Sequence, residues 1–424
     1  MASGDRRYRI DTDQAAVDWS AAGKRIGVIG LVPDDWQGIW MPRHYVMSRL
    51  ARHFEVVWIE PPKGWRDYWL PGTSAGRTFQ SIASDEFGLH LYSPGRWLPD
   101  IHRPRFLARW IRNRRIKNAR RHLKSLGCKK IVLYLWRPDF DYSLDAVDSD
   151  HACYHIDDEY SFSIDDVPNS PREEALIRRV DQVIIHSRRL LQKKGRINPA
   201  TIHVPNGVEF AAFATPVPEP LDMVDIPRPR MGYVGVVKSQ LDIELIGSLA
   251  RRHPEWSFVF VGPEGHLGSK AAELDGLRLC HNVHLVGNRA LSTLPAYMQA
   301  MDVCMMCYEV CDYTNYIHPL KLNEYLATGR PVVSSPIDAV LSLQNLIRVA
   351  RSVDEWSREL ETAWQEDDPD KRCARQAEAA RHDWDALAGL IAETIQAGVL
   401  KPLAPSCRAP PDSKNGPESS CTTG

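Results

Sequence analysis

The sequence predicts an α/β protein made of two doubly wound domains. Short apolar runs alternate with segments of helical periodicity along most of the chain. Such runs are typical of parallel strands that are buried on both faces by helices. A proline-rich stretch, residues 215–230, divides the series into two parts. A chain of 424 residues is long enough for two domains of this size.

The first series of apolar runs predicts an N-terminal domain over residues 24–214. A helix is expected from Pro42 to His53, and a long basic helix follows residues 61–100. That intervening stretch is rich in Pro, Gly and Trp, so we expect an irregular insertion there. The predicted strands are KRIGVIGLV (24–32), EVVWIE (55–60), IVLYLW (131–136), HACYHI (151–156), DQVIIHS (181–187) and TIHVP (201–205).

A second series, after the linker at 215–230, predicts another domain over residues 231–380. Gly235, Gly262 and Gly287 each lie at or near the carboxyl end of a predicted strand, the edge at which doubly wound sheets bind ligands. Glycine there permits close approach of a ligand or a plain tight turn, and each position is open to both interpretations. The predicted strands are RMGYVGVV, WSFVFVG, VHLVG, DVCMMC and PVVSS.

The segment PLKLNEYLATGRPVVSSP, residues 319–336, predicts a short helix followed by a buried strand. Pro319 suits the first helical turn, and Gly329 with Pro331 ends the helix. Leu322 belongs to its apolar face. Lys321 lies in the first turn, where the helix N-terminus and a cation together suit a phosphate. Glu324, three residues on, shares that face and suits sugar hydroxyls, so the segment predicts a nucleotide-sugar pocket.

This segment resembles the donor-binding motif of GT-B glycosyltransferases, especially the family 4-like group. Other segments fit the bacterial exopolysaccharide and teichuronic-acid-type members of that group, over most of residues 24–395. The resemblance implies two Rossmann-like domains that face a central cleft, with the nucleoside diphosphate sugar donor in the second domain. It also implies a saccharide or lipid-linked acceptor at the first domain, with no cofactor and no metal. The segments are residues 35–62, CYHIDDEYSF (153–162), VDQVIIHSRRLL (180–191), HVPNGVEF (203–210) and residues 231–250.

The resemblance also assigns roles to residues of the donor site, which includes Gly235 and Gly262. Glu324 matches the Glu that binds the nucleotide ribose, and Lys238 matches a cation that contacts the diphosphate. A solvated loop lysine is the alternative for Lys238. Tyr316 stands where the family has a Glu that contacts the donor sugar, so it is expected as a pocket wall, and sugar specificity is left open. The other candidates for sugar contact are Asp312, Tyr313 and His318.

A pair of carboxylates, Asp157 and Asp158, follows the predicted strand HACYHI. Neighbouring carboxylates perturb each other, and one of them can stay basic enough to deprotonate a hydroxyl. The resemblance implies that such an Asp is the base if transfer inverts the sugar, with Asp157 slightly favoured. The alternative is a loop acid that caps the next segment. Retaining and inverting outcomes both stay open.

The long helix carries many cations interleaved with aromatic residues, and no acid lies between Asp100 and Asp139. Such a helix suits an anionic membrane surface, with Arg112, Arg115 and Lys117 as the candidate contacts. The alternative is a solvated helix that covers the sheet. The formal net charge of −1 gives no indication of nucleic-acid binding.

Residues 1–23 predict a flexible N-terminus without an apolar signal core, and residues 401–424 predict a disordered Pro- and Ser-rich tail. No run of 18 apolar residues occurs, so no transmembrane helix is expected. Scattered cysteines, including Cys304, Cys307 and Cys311, predict reduced thiols rather than a metal site. We expect a cytoplasmic protein, with peripheral attachment to the inner face of the cell membrane as an open option. Residues 381–400 predict a helix that crosses back to the first domain.

The sequence therefore predicts a glycosyltransferase of polysaccharide or glycoconjugate synthesis. Two alternatives stay open. A nucleotide-sugar epimerase of the same architecture would need no acceptor. A non-catalytic scaffold that binds sugar nucleotides is suggested by Tyr316 in the place of the family Glu.

Overall fold

The computed structural model describes residues 26–64, 80–81, 87–95, 97–160 and 170–400. The predictions for residues 1–23 and 401–424 lie outside the described residues. The chain forms two compact units, one of Met1–Tyr134 with Tyr142–Asp150, the other of Leu135–Asp141 with His151–Gly424.

The first unit is built on strands paired in the order β3-β4-β2-β1-β5. β1 pairs with β2, and β2 with β4, in parallel, whereas β3 is antiparallel to β4. Every residue of β1 is buried, as expected for a strand covered on both faces. The strands are β1 (Ile26–Leu31), β2 (Glu55–Ile59), β3 (Gln80–Ser81), β4 (His90–Tyr92) and β5 (Lys130–Leu135), and the helices are α1 (Pro42–Leu50) and α2 (Arg105–Ser125).

The second unit begins with three parallel strands, β6 (His151–Ile156), β7 (Gln182–Ile185) and β8 (Thr201–His203). The helices α3 (Pro171–Arg179), α4 (Arg188–Lys194) and α5 (Phe210–Ala214) connect and follow them. β6 has the bounds that the sequence predicts. The Ser187 hydroxyl begins α4 by accepting a hydrogen bond from the Leu190 amide at 3.1 Å.

The same unit contains a six-stranded sheet in the order β11-β10-β9-β12-β13-β14, with its apolar core on both faces. All pairings described within this sheet are parallel, which confirms the predicted doubly wound architecture. The strands are β9 (Arg230–Val234), β10 (Ser257–Val261), β11 (Val283–Gly287), β12 (Val303–Met306), β13 (Val332–Ser334) and β14 (Arg348–Val349). The helices are α6 (Ile243–Arg252), α7 (Ala271–Arg278), α8 (Leu294–Gln299), α9 (Asp312–Tyr316), α10 (Leu320–Thr328), α11 (Asp338–Leu341), α12 (Val353–Gln365), α13 (Pro369–Ala380) and α14 (Trp384–Leu400).

Helix α10 ends as its sequence predicts. Gly329 adopts φ 73°, a left-handed conformation that glycine takes without steric cost, and its amide donates to the Leu326 carbonyl at 3.0 Å. The predicted linker, residues 215–230, packs within the unit that contains the six-stranded sheet. Asp222 pairs with Arg289 at 2.6 Å, and Met223 is fully buried.

The compact units differ from the expected domain limits. β6, β7 and β8, which the sequence places in the domain 24–214, group with the unit that contains the six-stranded sheet. Two contacts within this unit explain the grouping. The Asn206 amide donates to the His318 carbonyl at 2.6 Å, and the Asn323 amide donates to the Asn206 carbonyl at 2.6 Å. Helix α14 also packs on β6, with Gly398 against the His151 ring. The proposed domain limits therefore stay a prediction.

Four charged side chains form what we call the ionic cluster: Glu159, Glu173 and Lys194, which are buried, and Lys193, which is half-buried. The Lys194 ammonium donates to Glu159 Oε1 at 2.9 Å and to both oxygens of Glu173 at 2.9 Å. The Lys193 ammonium donates to Glu159 Oε2 at 3.0 Å. Lys194 is 1% exposed and the Glu159 side chain 0% exposed, so the two formal charges of each sign offset one another in the interior.

The ionic cluster generates a stability prediction. Replacing Lys194 with Met should lower the free energy of unfolding by about 3–5 kcal/mol, because the Glu173 carboxylate would be left buried without its cation. Arg178→Met is the matched control: Arg178 pairs with Glu174 on the same helix as Glu173 but is 62% exposed, so its loss should cost only about 0–1 kcal/mol. Urea unfolding measures both. Equal losses would show that burial of the cluster is energetically unimportant.

Candidate functional site

The site is built at the carboxyl ends of β9 and β10. Gly235 and Gly262 follow these strands, and both adopt φ 148°. A Cβ built on Gly262 would overlap the carbonyl oxygen of Gly235, so the two turns pack backbone to backbone. This close approach explains the glycine at position 262. It leaves room for one side chain, Lys321, whose ammonium would lie 3.0 Å from a Cβ added to Gly235.

Lys321, in the first turn of α10, points to this sheet edge. Its ammonium donates to the Tyr308 hydroxyl at 2.9 Å and lies 4.9 Å from the centroid of the Tyr233 ring. Burial alone would lower the pKa of Lys321, but Tyr233, Tyr308 and the Glu324 carboxylate raise it. Lys321 therefore stays protonated, which makes it a fixed positive charge at the N-terminus of a helix.

Lys238, in the loop after β9, is a second half-buried cation at this edge. Burial lowers its pKa, the charge of Lys321 lowers it further, and Asp158 opposes these effects. The two lysines are therefore close enough to repel each other. Among the residues that the structure describes, neither forms an ion pair with a carboxylate. Two neighbouring cations without a counter-ion are suited to an anion such as a diphosphate.

Glu324 lies one turn after Lys321 and is half-buried. Burial raises the pKa of Glu324 to about 7, with Lys321 opposing the shift and Glu209 adding to it. A carboxylate accepts hydrogen bonds at both of its oxygens, which suits a pair of neighbouring hydroxyls. The structure thus brings together Gly235, Lys238, Gly262, Lys321 and Glu324, and their assignment to a donor stays a prediction.

The carboxylate pair lies after β6, and both side chains are half-buried. The Tyr160 hydroxyl lies 2.8 Å from Asp157 Oδ1, and the Glu159 amide donates to Asp158 Oδ1 at 2.8 Å. Burial raises the pKa of Tyr313, and Asp158 raises it further, so Asp158 lies near both Tyr313 and Lys238. Asp158 therefore lies within electrostatic reach of Lys238, one of the two cations after β9.

Three residues predicted to contact the donor have other surroundings: Leu322, His318 and Tyr316. Leu322 is fully buried in the core, so its side chain packs α10 and cannot line a pocket. The ring of His318 lies 6.5 Å from that of His186 and lines a cavity that includes neither Lys321 nor Glu324. Burial lowers the pKa of His318 well below its usual value, and His186, His382, His203 and Arg188 add to this. Tyr316, at the end of α9, lies under the Lys193 ammonium, 5.1 Å from its ring centroid.

Helix α2 presents one buried and one exposed face. Arg115 is 5% exposed, and its Nε donates to the Leu98 carbonyl at 3.1 Å. Its prediction as a membrane contact is therefore wrong, because it lies on the same face as Ala108 and Ile111, which cover the sheet. Arg112 is half-buried over the Tyr142 ring, at 5.1 Å from the centroid, and Lys117 is exposed.

The exposed face of α2 is both basic and aromatic. Phe106 is 76% exposed and Trp110 is 57% exposed, one turn apart on the helix. Among the described residues, no helix combines the length and the apolar composition that crossing a bilayer would require. The exposed cations of α2 and the residues just before it are Arg103, Arg105, Arg109, Arg114, Lys117, Arg121 and Lys124.

Sequence reasoning missed the two tyrosines that hold Lys321. Tyr308 comes just after β12 and Tyr233 lies inside β9, two residues before Gly235. Their positions near strand ends at a parallel-sheet edge were a usable signal. The cysteines of β12 and its surroundings are core side chains at Cys304 and Cys307, whereas Cys311 is exposed. No group of three His, Cys, Asp or Glu side chains within the described ranges is suited to a metal ion.

Comparisons with known proteins agree with this geometry. Residues 228–366 match the family described as Glycosyl transferases group 1. A curated relative, the Bacillus subtilis (strain 168) protein TuaH, which is named as a teichuronic acid biosynthesis glycosyltransferase, is 32% identical over 178 residues. That match covers 41% of this chain and 44% of TuaH, so it spans less than half of the relative.

Solved structures show the fold. The sucrose-phosphate synthase of Thermosynechococcus elongatus superimposes with a TM-score of 0.62 at 16% identity, over 88% of this chain and 98% of that chain. HepE of Anabaena in complex with UDP superimposes with a TM-score of 0.61 at 15% identity, over 88% of this chain and 99% of that chain. A trehalose-6-phosphate structure from E. coli, bound with UDP-2-fluoro glucose, has a TM-score of 0.63 at 9% identity, over 89% of this chain and 99% of that chain. These matches confirm the predicted resemblance and the GT-B fold.

Glu324 generates a prediction for pH dependence. Its pKa is about 7 in the folded protein and about 4.3 in an unfolded chain. The folded state therefore binds more protons between these values, so the carboxylate should reduce stability progressively as pH rises through that window. In Glu324→Gln this loss is absent.

Thermal unfolding measured from pH 4.5 to 8 checks the Glu324 prediction. The melting temperature of Glu324→Gln relative to wild type should rise across the window and level off above it. A constant difference at every pH would contradict the raised pKa of Glu324. Glu366→Gln, a change at a carboxylate 56% exposed, is the control.

Proposed function

We propose that this protein is a glycosyltransferase that moves a sugar from a nucleoside diphosphate donor to a saccharide or lipid-linked acceptor. One observation carries the proposal. Lys321 and Lys238 converge on the edge where β9 and β10 end, next to the N-terminus of α10 and one turn from Glu324. Cations and a helix terminus suit a diphosphate, and the carboxylate suits the ribose hydroxyls.

The donor chemistry follows from these charges. Negative charge develops on the leaving diphosphate oxygen as the bond to the sugar breaks, and preorganised cations stabilise that charge. The tyrosines that hold Lys321 keep its ammonium in place before the reaction begins. We propose a uridine diphosphate sugar as the donor to test first, because similar structures contain UDP or a UDP-sugar analogue.

The acceptor hydroxyl needs a base if transfer inverts the sugar. Asp157 and Asp158 are our candidates, and Asp158 is close to Lys238. The Tyr160 hydroxyl donates a hydrogen bond to Asp157 Oδ1 and holds that carboxylate in place. Asp158 therefore gains support from its place near the cations, which the sequence alone does not reveal.

We further propose that α2 attaches the protein to an anionic membrane surface, where a lipid-linked acceptor would be found. Exposed aromatic side chains insert at the interface while nearby cations meet anionic headgroups. The exposed aromatic side chains are Phe106 and Trp110, and the nearby cations are Arg109, Arg114 and Lys117. The half-buried Arg112 is held over Tyr142, so it contributes less.

The donor site is tested by comparing two ligands. Lys321→Ala and Lys238→Ala should each weaken binding of UDP by about 1.5–3 kcal/mol, because each loses a charge-assisted contact to phosphate. Binding of uridine should change little, since it lacks the diphosphate. Lys371→Ala, at a lysine 48% exposed on α13, is the control. Calorimetry with both ligands gives the difference, and equal weakening for both would rule out a phosphate contact.

The membrane surface is tested with vesicles of increasing anionic lipid content. Wild type should sediment with them at low salt and be released at high salt, since the Debye length falls to about 3 Å at 1 M. Replacing Arg109, Arg114 and Lys117 with Glu should leave the protein in solution while UDP binding is kept. The charge-matched control replaces three exposed cations in and next to α13 with Glu, namely Lys371, Arg372 and Arg381. Wild type that ignores anionic vesicles at low salt would contradict the membrane proposal.

A further inference from the structure

The ionic cluster lies directly beside the candidate base, and neither the donor assignment nor the base assignment gives it a role. Glu159 directly follows the carboxylate pair, and its side chain is fully buried. Its Oε1 accepts a hydrogen bond from Lys194 and its Oε2 accepts one from Lys193. The loop that carries Asp157 and Asp158 is therefore anchored to α4 by two charge-assisted hydrogen bonds.

The two consecutive lysines of α4 face different neighbours. Lys194 is 1% exposed and also bonds Glu173, whose Oε1 accepts from the Tyr154 hydroxyl at 3.0 Å. Lys193 is 21% exposed and lies 5.1 Å from the Tyr316 ring centroid. Lys194 thus completes the interior of the cluster, while Lys193 extends it to the end of α9, in the segment that leads into α10.

We infer that Lys193 is a positioning residue for glycosyl transfer, which joins the loop of the candidate base to the Tyr316 ring on the donor side. This inference rests on the proposed function. The ammonium is fixed on one side by the buried Glu159 carboxylate and attracts the face of an aromatic ring on the other. Because Tyr316 is followed within five residues by Lys321, its position bears on the segment that presents the diphosphate cation.

The expected consequence is a loss of rate rather than of nucleotide affinity. Lys193 contacts neither Lys321 nor Glu324 in the described hydrogen bonds, so UDP binding does not depend on it directly. Small displacements of a reacting group cost rate steeply, up to about a hundredfold for roughly 1 Å. Without Lys193, Glu159 keeps its bond to Lys194, so the cluster is weakened but not left with an unpaired carboxylate.

The test uses the full-length chain and the UDP-sugar that wild type turns over fastest, with UDP release as the readout. Lys193→Met should lower kcat by about tenfold or more, with the dissociation constant of UDP within about twofold of wild type. Lys193→Arg, which keeps the charge, should recover most of the rate. Arg189→Met, an exposed position on the same helix, is the matched control and should behave as wild type.

Variants of Tyr316 test the same contact from its other side and leave the ionic cluster intact. Tyr316→Phe keeps the ring and should retain more of the rate than Tyr316→Ala, which loses the contact with Lys193. The double variant Lys193→Met/Tyr316→Ala should be no slower than Lys193→Met alone, because Lys193→Met already removes the contact with the Tyr316 ring.

The outcomes separate this inference from the proposed function. Unchanged kcat in Lys193→Met, equal rates for Tyr316→Phe and Tyr316→Ala, or fully multiplicative losses in the double variant would each overturn the role of Lys193. Those results leave the transferase proposal standing. Wild type that binds UDP but turns over no UDP-sugar would overturn the proposed function, and this inference with it.

Discussion

The backbone contact between Gly235 and Gly262 is the constraint on which the donor site depends. A side chain on Gly262 would separate the turns after β9 and β10, one on Gly235 would meet the Lys321 ammonium, and the positive φ of both residues favours glycine. The space kept open beside Gly235 is occupied by the Lys321 ammonium. A cation, the proposed phosphate contact, is thereby placed at the sheet edge by the absence of a side chain on Gly235 rather than by a loop of its own.

The second constraint is electrostatic. The ionic cluster places four charges in the interior, which is unfavourable unless each is paired with good geometry. Here the pairing is complete, with hydrogen bonds of 2.9 to 3.0 Å between two carboxylates and two ammonium groups. Replacing such a cluster with apolar side chains is often neutral for stability, so its energy alone does not explain its presence. A role in holding the loop after β6 against α4 and α9 does explain it.

Much of the fold was accessible from sequence because its signals are local. Apolar runs bounded by helical segments gave β6 its bounds, and Pro319 with Gly329 bracketed α10 to within one residue. The phosphate and ribose candidates followed from spacing on one helix. Leu322 and Arg115 show where this reasoning fails, since a residue type that suits a ligand or a membrane says nothing of which helix face is buried. Arg115 is turned inward by the same periodicity that buries Ile111.

The contacts that sequence could not give are those between distant segments. Glu159 meets Lys193 and Lys194 across 34 and 35 residues, and nothing in their local patterns distinguishes them from solvated charges. The burial of these charges changes the interpretation of Tyr316. A tyrosine in the place of the family Glu is what a non-catalytic scaffold that lost its contact with the donor sugar would show. A tyrosine whose ring lies against the Lys193 ammonium is instead held in an ordered set of contacts, which supports the proposed activity over a scaffold.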